Sequence, residues 1–229
     1  MALIELKNLT KTYGSGDHLF QALKGINLNI NDGEFVALMG PSGSGKSTTM
    51  NITACLDTPT SGSYLFKDVA VESLSNRQRT LLRRNYLGFI FQGFNLLSRT
   101  SARENVELPL IYRGDTPKSR RIAAEKALEK VGLLNWKNNH PNQLSGGQQQ
   151  RVAIARAIVT EPSVLLADEP TGNLDSKNSK DIMSLLSSLN QDLGITVVMV
   201  THETEMAEYA SRIVHFLDGS IQANEVIDS

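Results

Sequence analysis

Cys55 is the single cysteine among 229 residues, so the chain can form no internal disulfide, which fits a reducing compartment. No apolar run approaches the length that spans a bilayer. The start, Met1-Ala2-Leu3-Ile4-Glu5, has no charged segment followed by a long apolar one, and no signal peptide is expected. A membrane role must then come through a partner. The net charge of −1 gives no support for a nucleic-acid binder. Arg83-Arg84 and Arg120-Arg121 read as solvated helix faces. There is no internal repeat, low-complexity tract or heptad arm. The remainder, 40% hydrophobic and 21% charged, is ordinary globular composition. The length permits one large domain or a domain with a sub-domain.

What is present centres on Gly40-Pro41-Ser42-Gly43-Ser44-Gly45-Lys46-Ser47-Thr48. The spacing is that of a phosphate-binding loop. Glycines let successive N–H groups turn inward toward phosphate oxygens. Lys46 adds a mobile charge for the terminal phosphates, and the Ser47 hydroxyl suits Mg²⁺. The apolar run Phe35–Met39 precedes the loop as a buried parallel strand. A helix expected from Thr48 to Leu56 follows, its positive end at the phosphates.

Ile26, Leu28 and Ile30 alternate with Asn27 and Asn29 as in a half-exposed strand, closed by an Asn31-Asp32-Gly33 turn. Tyr13 stands beside the loop Gly14–Asp17. It reads either as a plain strand residue or as a ring that stacks on a flat base. After a Pro59–Gly62 turn, Tyr64–Phe66 is a short strand, and Ser75 caps a basic helix holding Leu81 and Leu82. Leu87–Phe91 is an apolar strand ending in Gln92, which either reaches Mg²⁺ or a water, or opens a surface loop. Residues 93–143 lose the strand signal. Ile122, Ala123, Leu128 and Val131 form a helical stripe between Thr116-Pro117 and Gly132. Trp136 is assigned a packing role.

Leu144-Ser145-Gly146-Gly147-Gln148 opens a second helix carrying Val152, Ala155 and Ile158. It reads as a nest of backbone donors for an anion, or as a helix cap. A second anion site in so short a chain suggests a ligand shared between two subunits. Val164–Ala167 is another buried strand, ending in Asp168 and Glu169. Asp168 is placed to hold Mg²⁺ through water, and Glu169 to polarise an attacking water. Asp175 or Ser176 caps a helix with Ile182, Leu185, Leu186, Leu189 and Leu193 on one face. Thr196–Thr201 is a further buried strand with His202 at its end, at the same sheet edge as Asp168 and Gln92. Ile213–Ile221 turns as a hairpin at Asp218-Gly219.

Taken together, Gly40–Thr48, Gln92, Leu144–Gln148, Asp168-Glu169, Asn173-Leu174-Asp175 and His202 resemble, in order and spacing, the ATP-binding subunit of ABC transporters. The resemblance covers essentially the whole chain. It implies an α/β fold: a P-loop NTPase RecA-like core with an N-terminal antiparallel β sub-domain (1–92 and 158–229), and an inserted α-helical sub-domain (93–157). It implies two copies closing head to tail on two ATP molecules, each site joining one copy's phosphate loop to the other's Ser145, Gly146, Gly147 and Gln148. By the same pattern Tyr13 stacks on adenine, Ser47, Gln92 and Asp168 serve Mg²⁺, Glu169 is the general base, His202 senses the γ-phosphate and Asp175 couples the two sites. The local words Cys55-Leu56-Asp57, Phe89-Ile90-Phe91-Gln92 and Asp168–Asp175 are similar to lipoprotein-releasing, macrolide-export and cell-division ATPases. Ala54 and Glu203 replace the Gly and Asp frequent there.

The resemblance implies an energy-coupling ATPase at the cytoplasmic face of a membrane, joined to integral membrane permease subunits. Phe94, Leu96 and Leu97 are candidates for that contact. A second reading, a soluble ABC-type ATPase acting on DNA or the ribosome, would carry coiled-coil insertions or tandem cassettes. A third, a small-molecule kinase or GTPase, leaves Ser145–Gln148 without a role and would need an Asn-Lys-x-Asp stretch for guanine.

Overall fold

The computed structural model describes residues 2–16 and 18–227. Met1 of the expected N-terminal reading, and Asp17 of the Gly14–Asp17 loop, lie outside the described residues. Strands β1 (Ala2–Tyr13) and β2 (Phe20–Asn31) pair antiparallel. With β4 (Ser61–Phe66) and β5 (Val69–Ala70) they form a sheet ordered β2-β1-β4-β5. A second sheet has the order β10-β9-β3-β8-β7-β6, built from β3 (Phe35–Met39), β6 (Leu87–Phe91), β7 (Val164–Asp168), β8 (Thr196–Val200), β9 (Arg212–Leu217) and β10 (Ser220–Val226). All its neighbours run parallel except β10 against β9.

The apolar runs form central strands because they have water on neither face. Along β3, Val36 and Leu38 enter the core shared with the antiparallel sheet, whereas Phe35, Ala37 and Met39 enter the core shared with the helices. Strand β8 divides the same way, Val198 and Val200 against Val197 and Met199. The period of two thus builds three layers from one strand.

On the helical side lie α3 (Ala102–Arg113), α4 (Pro117–Lys130) and α5 (Gly146–Ile158). Helix α4 starts at Thr116, whose hydroxyl accepts from Ser119 N, with Pro117 in the first turn. Its buried face is Ala124, Ala127 and Leu128; the expected stripe residue Ile122 is 49% exposed. Leu128 therefore anchors the helix, and truncating such a side chain costs about 2–5 kcal/mol. Trp136, assigned to packing, is 38% exposed and so mostly covered, in a short turn after α4.

Helix α1 (Lys46–Thr53) stops before the expected Leu56. Cys55 takes a left-handed φ of 54°, and the N–H groups of Leu56 and Asp57 fold back onto the carbonyl of Asn51. Strand β4 begins at Ser61, inside the expected turn, because β1 supplies Thr10 as a pairing partner. Helix α2 (Asn76–Tyr86) is capped by Ser75, as the sequence indicates. Helix α6 (Ser176–Leu193) is capped by Asp175 and buries Ile182, Leu186 and Leu189, while Leu193, at its last turn, faces solvent. A short helix α7 (Thr204–Ala207) leads into β9.

Candidate nucleotide site

Parallel strands deliver their ends to one edge. Phe91 pairs with Asp168, Asp168 with Val200, and Leu38 with Val200. The segments after these strands, at Gly40, Gln92, Glu169 and His202, therefore emerge side by side, where ligands bind in open α/β sheets.

The phosphate loop joins β3 to α1. Gly45 caps α1 at a left-handed φ of 107°, and a Cβ there would lie 2.9 Å from the Ala22 carbonyl oxygen. A side-chain-bearing residue would distort the loop. Lys46 is buried, and its Nζ donates to the carbonyl oxygens of Gly40 and Pro41, both at 2.7 Å. It also lies 3.4 Å from Ser44 Oγ. These oxygens hold the ammonium where an anion's oxygens would compete for it. Burial lowers the Lys46 pKa, against the pull of Glu169 and Asp168.

A cavity of about 280 Å³ is lined by Ser42–Thr48, Phe20, Ala22, Glu169 and His202. Glu169 adopts a φ of 44°, a conformation uncommon for a residue with a side chain and costing of order 1–3 kcal/mol. Its Oε1 stands 2.9 Å from His202 Nδ1. Asp168, just behind, has its pKa raised by burial first and then by Glu169, with Lys46 opposing. Phe20, 59% exposed, escaped sequence reasoning; its only signal is that it pairs with Tyr13 across β1 and β2.

The structure separates other expected members from this cavity. Gln92 lies against Gly172, where a Cβ would come 2.6 Å from its Nε2. The Gln92 carbonyl accepts from Asn173 Nδ2 at 2.9 Å. Ser145 caps α5 reciprocally: its Oγ accepts from Gln148 N at 3.3 Å, and Gln148 Oε1 accepts from Ser145 N at 2.9 Å. Both readings of this stretch thus start from a formed cap, which lies outside the cavity. Gly146 faces Leu174 and Phe94, and Gly147 faces Asn178. Asp175 Oδ1 accepts from Asn178 N at 3.0 Å, and that bond leads in holding its pKa down. The sequence did not mark Gln150, which is buried and donates from Nε2 to the Pro170 carbonyl at 2.6 Å. That bond ties α5 to the segment after Glu169. Tyr13, 39% exposed, donates its hydroxyl to Asp57 Oδ2 at 2.7 Å.

A second concavity of about 690 Å³ lies between α2, β6 and α3, walled by Phe89, Phe91, Leu108, Pro109 and Tyr112 and edged by Arg83, Arg84 and Arg156. Phe94, Leu96 and Leu97, the expected contact residues, do not line it. Arg156 holds the carbonyls of Phe94 and Asn95, Leu96 packs on the helical core, and Leu97 N donates to Asn105 Oδ1.

Comparison with known proteins decides the family. The profile described as ABC transporter matches residues 23–172. The chain belongs to the ABC transporter family. It is an ATP-binding cassette of the ATP-hydrolysing kind. It is 53% identical over 219 residues to the uncharacterized ABC transporter ATP-binding protein MJ1508 of Methanocaldococcus jannaschii, covering 96% of this chain and 97% of that one. It is 50% identical to the macrolide export ATP-binding/permease protein MacB of Syntrophobacter fumaroxidans, over 97% of this chain but only 31% of that protein. Among solved structures, the dimeric post-hydrolysis state of the cassette MJ0796, bound to ADP and Pi, superimposes with a TM-score of 0.89 at 47% identity over 99% of both chains. These relatives place the cassette with the macrolide-export type that its local words resemble.

Proposed function

We propose that this cassette works as a head-to-tail homodimer around two ATP molecules and drives a membrane-embedded permease from the cytoplasmic face. One observation carries the reading. Phosphate loop, Glu169 and His202 share one cavity, whereas the Ser145–Gln148 helix start lies outside it with Ser145 exposed. A second copy can bring that helix start to the open side of the cavity.

In this reading, ATP's phosphates take the N–H groups of residues 41–48 and draw Lys46 Nζ from its carbonyls. The Ser47 hydroxyl, Asp168 and Gln92 are hard oxygen donors that suit Mg²⁺, which spreads charge from the β- and γ-phosphates when bound. A cation there would also favour the ionised form of Asp168, which burial disfavours. Glu169 accepts a proton as water oxygen attacks the γ-phosphorus and the bond to the β-phosphate oxygen breaks. His202 leaves Glu169 to donate to the γ-phosphate. Tyr13 is the platform for adenine, Ser145, Gly146 and Gly147 grip the partner's γ-phosphate, and Asp175 joins the two sites. We retain 93–157 as the moving helical sub-domain and 1–92 with 158–229 as the core.

Among the described residues no helix is long and apolar enough to cross a membrane. The groove at Phe89, Leu108 and Tyr112, rimmed by arginines, suits an amphipathic permease segment carrying a carboxylate. Export relatives named as joint ATP-binding/permease chains support such a partner. The test is turnover per cassette against cassette concentration. A shared site predicts specific activity that rises with concentration and then saturates; a flat profile down to nanomolar protein contradicts it.

A further inference from the structure

Tyr13 is the last residue of β1, and an exposed terminal ring would ordinarily swing freely. Here it does not. Its hydroxyl donates to Asp57 Oδ2 at 2.7 Å, and Lys11 Nζ lies 4.8 Å from its ring centroid. The other carboxylate oxygen, Oδ1, accepts from Lys11 Nζ at 2.6 Å and from Thr58 N at 2.7 Å. Lys11 Nζ also donates to the Thr58 carbonyl at 2.7 Å. One face of the ring thus carries an ammonium, which leaves the other for a flat ligand.

Asp57 itself is fixed. Burial raises its pKa and is outweighed by hydrogen bonds from Lys11, Tyr13 and Thr58, so it stays ionised. The stretch after it is stitched to β1: Thr60 N donates to the Thr10 carbonyl at 2.9 Å, Thr12 N to Thr60 Oγ1 at 3.0 Å, and Thr10 Oγ1 meets Ser61 Oγ at 2.7 Å. Asp57 follows α1, the helix that begins at the phosphate loop. The ring is therefore tied to the segment that follows the phosphate-loop helix as well as to its own strand β1.

We propose that Asp57, with Lys11, is a positioning residue for nucleotide binding: it locks the Tyr13 ring at a fixed place relative to the phosphate loop, ready for the base. The inference rests on the reading of Tyr13 as the base platform. Holding the ring in advance removes its ordering cost from binding, which is worth about three- to tenfold in affinity.

The test compares dissociation constants of the full chain for ATP and for inorganic tripolyphosphate, which has no base. Tyr13→Ala is expected to weaken ATP and spare tripolyphosphate. Asp57→Ala and Tyr13→Phe, the latter losing only a hydroxyl, are each expected to weaken ATP about three- to tenfold and spare tripolyphosphate. Asp57→Ala added to Tyr13→Ala is expected to change nothing more. If Tyr13→Ala shifts the ratio of the two constants but Asp57→Ala and Tyr13→Phe do not, the lock is refuted while the platform stands. If Asp57→Ala weakens both ligands equally, it is a sheet staple and the proposal fails. If Tyr13→Ala leaves the ratio unchanged, the platform reading fails and the lock with it.

Discussion

His202 Nδ1 and Glu169 Oε1 stand 2.9 Å apart at the mouth of the phosphate-loop cavity. The proposed proton acceptor is thus engaged by the residue proposed to contact the γ-phosphate. Incoming nucleotide has to exchange that contact for two new ones, His202 to phosphate and Glu169 to water. Replacing the carboxylate by an amide keeps the shape and removes the base. Glu169→Gln is expected to bind ATP normally and to hydrolyse it about 10²- to 10⁴-fold more slowly, measured by phosphate release under single turnover. Normal turnover would remove Glu169 from the role.

Asp168 is held in a setting that disfavours its charge, through burial and its neighbour Glu169. Its folded pKa lies above the ordinary 3.8, so its contribution to stability is present below that value and is lost as pH rises through the folded pKa. Asp168→Asn is therefore expected to melt higher than the parent at neutral pH without nucleotide. The gap should close on acidification through the carboxylate range. The same variant should lose Mg²⁺-dependent turnover. Paired melting curves from pH 3 to 7, a range set by ordinary carboxylate titration, check the sign.

Ser145 begins α5 with a reciprocal cap, and such a cap contributes about 1 kcal/mol. Ser145→Arg puts a long cation where the partner's γ-phosphate is proposed to lie. Its steric bulk should block closure of the pair while leaving the cavity of its own chain intact. Monomer affinity for ATP is expected to stay within about twofold, since distant sites act independently. Turnover should fall to background, as read by calorimetry and phosphate release on one sample.

Tyr112 projects from α3 into the arginine-rimmed groove and is largely exposed. Tyr112→Asp should leave the basal ATPase of the isolated cassette unchanged. On the proposed docking of a carboxylate-bearing permease segment, it should release the cassette from native membranes, because an acidic side chain there opposes that carboxylate. Sedimentation with membranes at fixed salt measures this.

The sheet core was legible because β3, β7 and β8 are buried on both faces and so carry continuous apolar runs. Their ends fixed where Gly40, Asp168 and His202 must gather. Helix α4 was less legible: a periodic stripe does not say which neighbour covers it, and Ile122 is left outside. Phe20 carried no motif, because its place in the cavity comes from strand pairing. Gln92 sits on Gly172, a contact set by how two loops pack and not by strand direction. Phe94, Leu96 and Leu97 do not line the concavity walled by Phe89, Leu108 and Tyr112, because Arg156 and Asn105 tie their loop down by its main chain.

The most direct measurement is the molar mass of Glu169→Gln by light scattering, with and without Mg-ATP. A shared nucleotide site predicts a monomer without ATP and a dimer with it, and the dimer should vanish when Ser145→Arg is added. A monomer in both conditions, with ATP shown to be bound, would contradict a site completed by a second copy.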